Sequence, residues 1–163
     1  LDLRYDPQRR RVCFPCRNDS GDLVGMHGRA IDPENPLRYY AYKYGDTYNN
    51  HVWTNANNLD CSNPLILVES VFDLASVLRV YSNVVCSRSA SVSNDLMLTL
   101  PSCPYILTLY DSDAAGDTAR KFIESKAHVP VTHLLPTKGK KDPGECSEEE
   151  ISTILTESLF STI

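Results

Sequence analysis

Two apolar runs of strand length, each stopping abruptly at carboxylates, restrict what this chain can become. The first lies in Leu65 to Asp73, LILVESVFD, and is closed by Glu69; the second lies in Ile106 to Asp117, ILTLYDSDAAGD, and is closed by Asp111 and Asp113. A short apolar run bounded by polar residues suits a strand buried on both faces, as in a parallel sheet. A helix-competent segment follows each run. Ligands of such sheets bind at the carboxyl ends of the strands, and carboxylates gathered there repel one another unless a cation neutralises them. An oxygen-only donor set suits Mg²⁺ or Mn²⁺ better than zinc. The pattern therefore predicts a divalent-metal site that acts on phosphates.

The residues at these strand ends also carry a resemblance. Val68-Glu69-Ser70, then Asp73 on the following helix, then Tyr110-Asp111-Ser112-Asp113-Ala114-Ala115-Gly116, resembles the Toprim domain. Its signature is a single Glu at one strand end and Asp-x-Asp at a later one. That group comprises bacterial-type primases, type IA and II topoisomerases, and some nucleases and repair proteins. The resemblance implies an α/β domain with a central, mostly parallel sheet flanked by helices, in which Glu69, Asp111 and Asp113 are catalytic.

At 163 residues the chain can form one compact domain or two small ones. No apolar run approaches transmembrane length and no charged-then-apolar leader opens the chain, so a cytoplasmic protein without a membrane partner is expected. The first residue is Leu, which suggests an excised or processed chain. The net charge of −5 is unevenly spread. Residues 1–60 hold eight Lys/Arg against eight Asp/Glu, whereas residues 61–163 hold eight against thirteen. The first part is thus neutral and carries Arg9-Arg10-Arg11, Arg17, Arg29, Arg38 and Lys43. A local basic face matters more for phosphate contacts than net charge does. The six Cys, with no leader, do not read as a disulfide framework; Cys13 and Cys16 sit in an apolar stretch as packed thiols rather than zinc ligands.

Residues 1–11 are polar and read as an irregular strap. Val12 to Cys16 and Leu23 to Arg29, joined through Asp19 to Asp22, read as a β-hairpin, with Gly25 and Gly28 leaving room for close approach. Residues 31–60 are rich in Tyr and Asn. There Tyr39, Tyr40, Tyr42, Tyr44, Tyr48 and Trp53 are interleaved with Arg38 and Lys43, which could stack on bases or form the core of a small subdomain. Cys61-Ser62-Asn63-Pro64 marks the expected boundary between an α+β subdomain at 1–60 and the Toprim domain at 61–163. In the second part Val71 to Tyr81 is helical in spacing, with Asp73 near its start, and Asn83 to Cys86 is a strand. Ser93 is an N-cap for a short helix over Asp95 to Leu100. Ala114 to Lys126 is a helix, Val131 to Leu135 a strand, and Glu148 to Phe160 a final helix whose first acids suit its N-terminus.

The hairpin carries a second resemblance. Arg11-Val12-Cys13-Phe14-Pro15-Cys16-Arg17-Asn18, followed by Leu23-Val24-Gly25-Met26-His27-Gly28-Arg29-Ala30, looks like the start of the RNA-polymerase core of DnaG-type primases. Arg38-Tyr39-Tyr40 falls where that family has a template-binding ridge, although the ridge here is less basic. Further along, Asp142-Pro143 matches a metal-holding Asp-Pro-Asp of the family, and Gly144 replaces the second aspartate. That leaves one ligand missing or supplied by Glu145.

The resemblance implies DNA-templated RNA primer synthesis: a 3′-hydroxyl attacks the α-phosphate of a ribonucleoside triphosphate, with pyrophosphate released, assisted by Mg²⁺ or Mn²⁺ in a two-metal arrangement. Asp111, Asp113 and Asp142 would hold metal, Glu69 would share it or act as general acid/base, and Asp73 would support them. Arg17, Arg29, Arg38, Lys43 and Arg88 would meet single-stranded DNA template or nucleotide. A replicative helicase would be met through regions outside these residues, as would an upstream zinc-binding domain. The short loops fit a phage or mobile-element primase. Rival readings are a Toprim nuclease or topoisomerase fragment, and a non-catalytic Toprim nucleic-acid-binding module.

Overall fold

The computed structural model describes residues 2–18, 20–42 and 51–160, with the side chains of 159 and 160 left aside. Two four-stranded sheets organise them. The first is antiparallel, in the order β1 (Arg4–Asp6), β2 (Arg11–Arg17), β3 (Leu23–Ala30), β4 (Tyr39–Tyr42). The expected β2–β3 hairpin is present, and its turn is drawn together by Asn18 Oδ1 accepting from the Asp22 N–H at 2.8 Å. The leading segment is not wholly irregular: Arg4–Asp6 adds a strand because its backbone pairs with Arg11–Cys13. At Gly28 a Cβ would lie 2.8 Å from the Tyr42 ring and 3.0 Å from Cys13 Sγ, so glycine allows the close packing of β2, β3 and β4. Buried Arg11 fastens the 31–38 connection by donating to the carbonyls of Gly28, Leu37 and Arg38.

The second sheet is wholly parallel, in the order β6 (Val84–Cys86), β5 (Leu65–Val68), β7 (Ile106–Leu109), β8 (Val131–Leu134). Every residue of β5 and β7 is buried, as the unbroken apolar runs require of strands covered on both faces. Alternation then divides them. Ile66, Val68, Leu107 and Leu109 face one core with Leu74 of α1 (Val71–Val77) and Ile151 and Leu155 of α4 (Glu148–Phe160). Leu65, Leu67 and Ile106 face the other, with Leu96 of α2 (Asn94–Leu98) and Ala119 and Ile123 of α3 (Ala114–Lys126). Each such buried aliphatic contributes about 1.5–3 kcal/mol relative to exposure.

The two sheets share a core. Phe14 of β2 packs among Ile66, Val68 and Val71. Trp53 is fully buried in the α2–α3 core and donates its indole N–H to the Leu96 carbonyl at 2.8 Å, while Thr54 bridges Cys86 at the β6 edge. The 52–58 segment, on the N-terminal side of the expected boundary, therefore packs on the parallel sheet. Helix α1 ends at Val77, before the expected Tyr81. All six cysteines are free thiols, with Cys13 and Cys16 buried. Among the described residues no helix is long and apolar enough to cross a membrane.

Candidate active site

The site forms where β5 and β7 lie side by side. Connections from β5 run to β6 on one flank and from β7 to β8 on the other, so the carboxyl ends of β5 and β7 mark the switch point of the sheet, where ligands of open α/β folds bind. Val68 pairs with Leu109, so Glu69 and Asp111 emerge next to each other just beyond the sheet.

Asp73 arrives from the first turn of α1. It completes a capping box: its backbone N–H donates to Ser70 Oγ at 3.2 Å, and its Oδ2 accepts from the Ser70 N–H at 2.8 Å. Its Oδ1 accepts from the Gly144 N–H at 3.1 Å. Asp142 caps a short 3₁₀ turn over Pro143–Glu145, with its Oδ1 accepting from the Glu145 N–H at 3.0 Å. Asp73, Asp111 and Asp142 each offer a carboxylate oxygen within 4.8 Å of the other two. Three elements that are far apart in sequence thus bring one ligand each to a common point.

Glu69 and Asp113 stand beside this trio. Glu69 Oε2 is buried and, among the described residues, has no hydrogen-bond partner. Burial first, and then the charges of Asp111, Asp113 and Asp73, push its carboxyl up to about 7. Burial likewise raises Asp73, to about 6, and raises Asp111 against the opposing pull of Lys141. Asp113 differs. It is the N-cap of α3, its Oδ1 accepts from the N–H groups of Ala115 and Gly116 at 3.0 Å each, and these bonds hold its carboxyl below the ordinary range. Glu145, a candidate replacement ligand, uses Oε2 to accept from the Lys141 N–H at 2.7 Å.

Two residues that shape the site were not singled out from the sequence. Arg120 is 4 % exposed and donates to the carbonyls of Tyr110 and Asp111, both at 3.1 Å, and to Asp117 Oδ1 at 2.5 Å. Its signal was an arginine on the apolar face of α3, in line with Gly116, Ala119 and Ile123. Lys141 is the other, with Nζ 3.4 Å from Asp111 Oδ2 and 3.8 Å from Asp113 Oδ2.

The basic residues fall in two places. Arg29 stacks over Phe72 of α1 at 4.7 Å and over Tyr39 at 5.4 Å, and donates to the Tyr39 hydroxyl at 2.8 Å. It flanks the acidic end of α1. Arg17 and Arg88 lie by Thr54 instead. Arg17 donates to the Gly21 carbonyl and, with Thr54 and Asn55, lines a small cavity. Arg88, held at φ 67°, donates to Thr54 Oγ1 at 3.2 Å and opens onto a recess of about 320 Å³ with His27, His51, Ser89 and Ser93. Arg38 is exposed at the mouth of β4, and its backbone carbonyl accepts from Arg11 and Ala30. Lys43, Tyr44 and Tyr48 lie outside the described residues.

An all-parallel sheet with carboxylates gathered at adjacent strand ends, together with an antiparallel hairpin sheet, matches the fold of primase catalytic cores. No family model matches the chain. Its sequence is 27% identical over 126 residues to the DNA primase of Clostridium acetobutylicum, covering 71% of this chain and 20% of that protein. The structure matches the zinc-binding and RNA polymerase domains of the Aquifex aeolicus primase with a TM-score of 0.73 and 26% identity, over 93% of this chain and 40% of that one. It also matches a DnaG primase catalytic domain bound to single-stranded DNA, with a TM-score of 0.62 and 22% identity, over 99% and 62%. The chain resembles DnaG-type primase cores in fold and in sequence. It spans about a fifth of the length of the curated primases it matches.

Proposed function

We propose that this chain is the catalytic core of a primase that makes RNA primers on single-stranded DNA from ribonucleoside triphosphates. The observation that carries this reading is the convergence of Asp73, Asp111 and Asp142 within 4.8 Å at the switch point. Three hard oxygen donors beside a buried Glu69 oxygen, without a hydrogen-bond partner among the described residues, fit Mg²⁺ or Mn²⁺. Held there, the ion would supply Lewis acidity at a phosphoryl oxygen.

The chain's own residues have separate tasks in this scheme. Glu69, with one oxygen buried beside the three aspartates, serves as general acid/base toward the attacking 3′-hydroxyl. Asp73 is aimed by the Ser70 and Gly144 N–H groups, and Arg120 holds the backbone from which Asp111 projects. Asp113 caps α3 with one oxygen and turns the other toward the Lys141 ammonium. Arg29 presents a guanidinium to template or triphosphate beside α1, and Arg17 and Arg88, by Thr54, form a second basic place for the nucleic acid, with Lys43 and exposed Arg38 as further candidate contacts. A helicase partner would be reached through other regions.

Gly144, in place of an acidic residue, supports a second reading, a nucleic-acid-binding module of the same fold without polymerase activity. Primer synthesis on single-stranded DNA with Mg²⁺ or Mn²⁺, with zinc-binding and helical domains supplied in trans, separates the two. Primers from the wild type and a loss of at least ~100-fold in Glu69→Gln are expected. DNA binding without synthesis would favour the module, and cleavage of the DNA would favour the nuclease reading.

A further inference from the structure

Lys141 stands against the Asp-x-Asp loop on a backbone that is pinned on both sides. Its carbonyl accepts from the Ser112 N–H at 2.8 Å and from Ser112 Oγ at 3.1 Å, and its own N–H donates to Glu145 Oε2 at 2.7 Å. Ser112 is the middle residue of Asp111-Ser112-Asp113, so the lysine loop is stitched to the two carboxylates it faces. From that anchor Nζ lies 3.4 Å from Asp111 Oδ2 and 3.8 Å from Asp113 Oδ2. An ammonium bridging two carboxylates does the electrostatic work of a cation. Asp142 stands next to Gly144, which offers no oxygen from a side chain.

Taken with the metal reading above, on which this rests, we propose that Lys141 is a built-in second cation. The site would take a single divalent ion at Asp73, Asp111 and Asp142, and the Lys141 ammonium would occupy the side of Asp111 and Asp113 where a second ion would sit. Lys141 is then a specificity-determining residue for metal stoichiometry. Its ammonium is well exposed and its anchor is backbone, so replacing the side chain leaves the stitching in place.

The test counts bound Mn²⁺ by electron paramagnetic resonance and equilibrium dialysis, with no need for activity. Wild type and Lys141→Arg are expected to bind one ion, and Lys141→Gln two, the second at least ~10-fold tighter than any weak site of the wild type. Two ions in the wild type, unchanged in Lys141→Gln, would overturn the lysine assignment and leave the metal site standing. One ion in Lys141→Gln, bound as in the wild type, would also overturn it. No bound Mn²⁺ in either protein would remove the metal reading and this inference together.

Discussion

The backbone N–H of Gly144 donates to Asp73 Oδ1 at 3.1 Å, joining residues seventy-one apart in the chain. With the Ser70 N–H on Oδ2, both oxygens of Asp73 are held by main-chain donors before any cation is involved. A Cβ on residue 144 would lie 3.0 Å from Asp142 Oδ1 and 3.4 Å from Asp73 Oδ1, so any side chain there enters the site directly.

Gly144→Asp should therefore change the site in both of its states. A further carboxylate crowding Asp73 and Asp142 should lower the melting temperature of the metal-free protein, since like charges oppose one another. The rise in melting temperature on adding Mn²⁺ should be larger than in the wild type, because an added ligand tightens binding to the folded state. Differential scanning fluorimetry with and without Mn²⁺ measures both. An unchanged Mn²⁺ response would place residue 144 outside the metal's reach.

The elevated carboxyls predict a pH profile. Glu69 is raised from 4.5 to about 7 and Asp73 from 3.8 to about 6, so the folded state keeps protons that the unfolded chain has released. Stability of the metal-free protein should fall as pH rises through that window, since the folded state there binds more protons than the unfolded one. Glu69→Gln should flatten the upper part of the fall, and saturating Mn²⁺ should flatten the whole of it. Urea midpoints measured across the window give the slope. A profile that is the same in wild type and Glu69→Gln would contradict the assignment of Glu69.

Gly116→Ala tests how closely α3 meets the strand end. The added Cβ would fall 2.1 Å from the Asp111 carbonyl oxygen, which is main chain and has no easy way to yield. The helix start must shift, costing about 1–3 kcal/mol or more and displacing Asp111. Both thermal stability and Mn²⁺ affinity should drop. Wild-type values for both would mean that the α3 start has slack which the packing at Asp111 does not suggest.

Arg29 offers a choice between binding and latching. If its guanidinium serves phosphate, Arg29→Ala should weaken single-stranded DNA binding about tenfold or more, with a small shift in melting temperature, and Arg29→Lys should recover only part of it. If the stacking on Phe72 and Tyr39 is its main role, the melting temperature should fall while affinity holds, by the ~0.5–1 kcal/mol usual for an exposed cation–π contact. Fluorescence anisotropy beside thermal melts distinguishes these outcomes.

What could be read from the sequence was set by local rules. The apolar runs of β5 and β7 required strands buried on both faces, and the spacing of Ala114–Lys126 and Glu148–Phe160 required helices of that length. Ser93 as an N-cap follows from short-range geometry too. The tertiary structure decided which carboxylates meet. Asp73, Asp111 and Asp142 converge because β5 and β7 pair in parallel with Val68 opposite Leu109 and the Pro143–Glu145 turn docks on α1, relations no local pattern encodes. Asp113, equal to Asp111 in sequence, is drawn aside by the open N–H groups of α3, while Lys141 and Arg120 enter the site through contacts to main-chain atoms whose position only the folded backbone sets. Trp53 likewise joins the parallel-sheet core across the expected boundary because its buried indole N–H finds the Leu96 carbonyl there. Periodicity specifies an element and the face it buries, and pairing between distant elements selects the site.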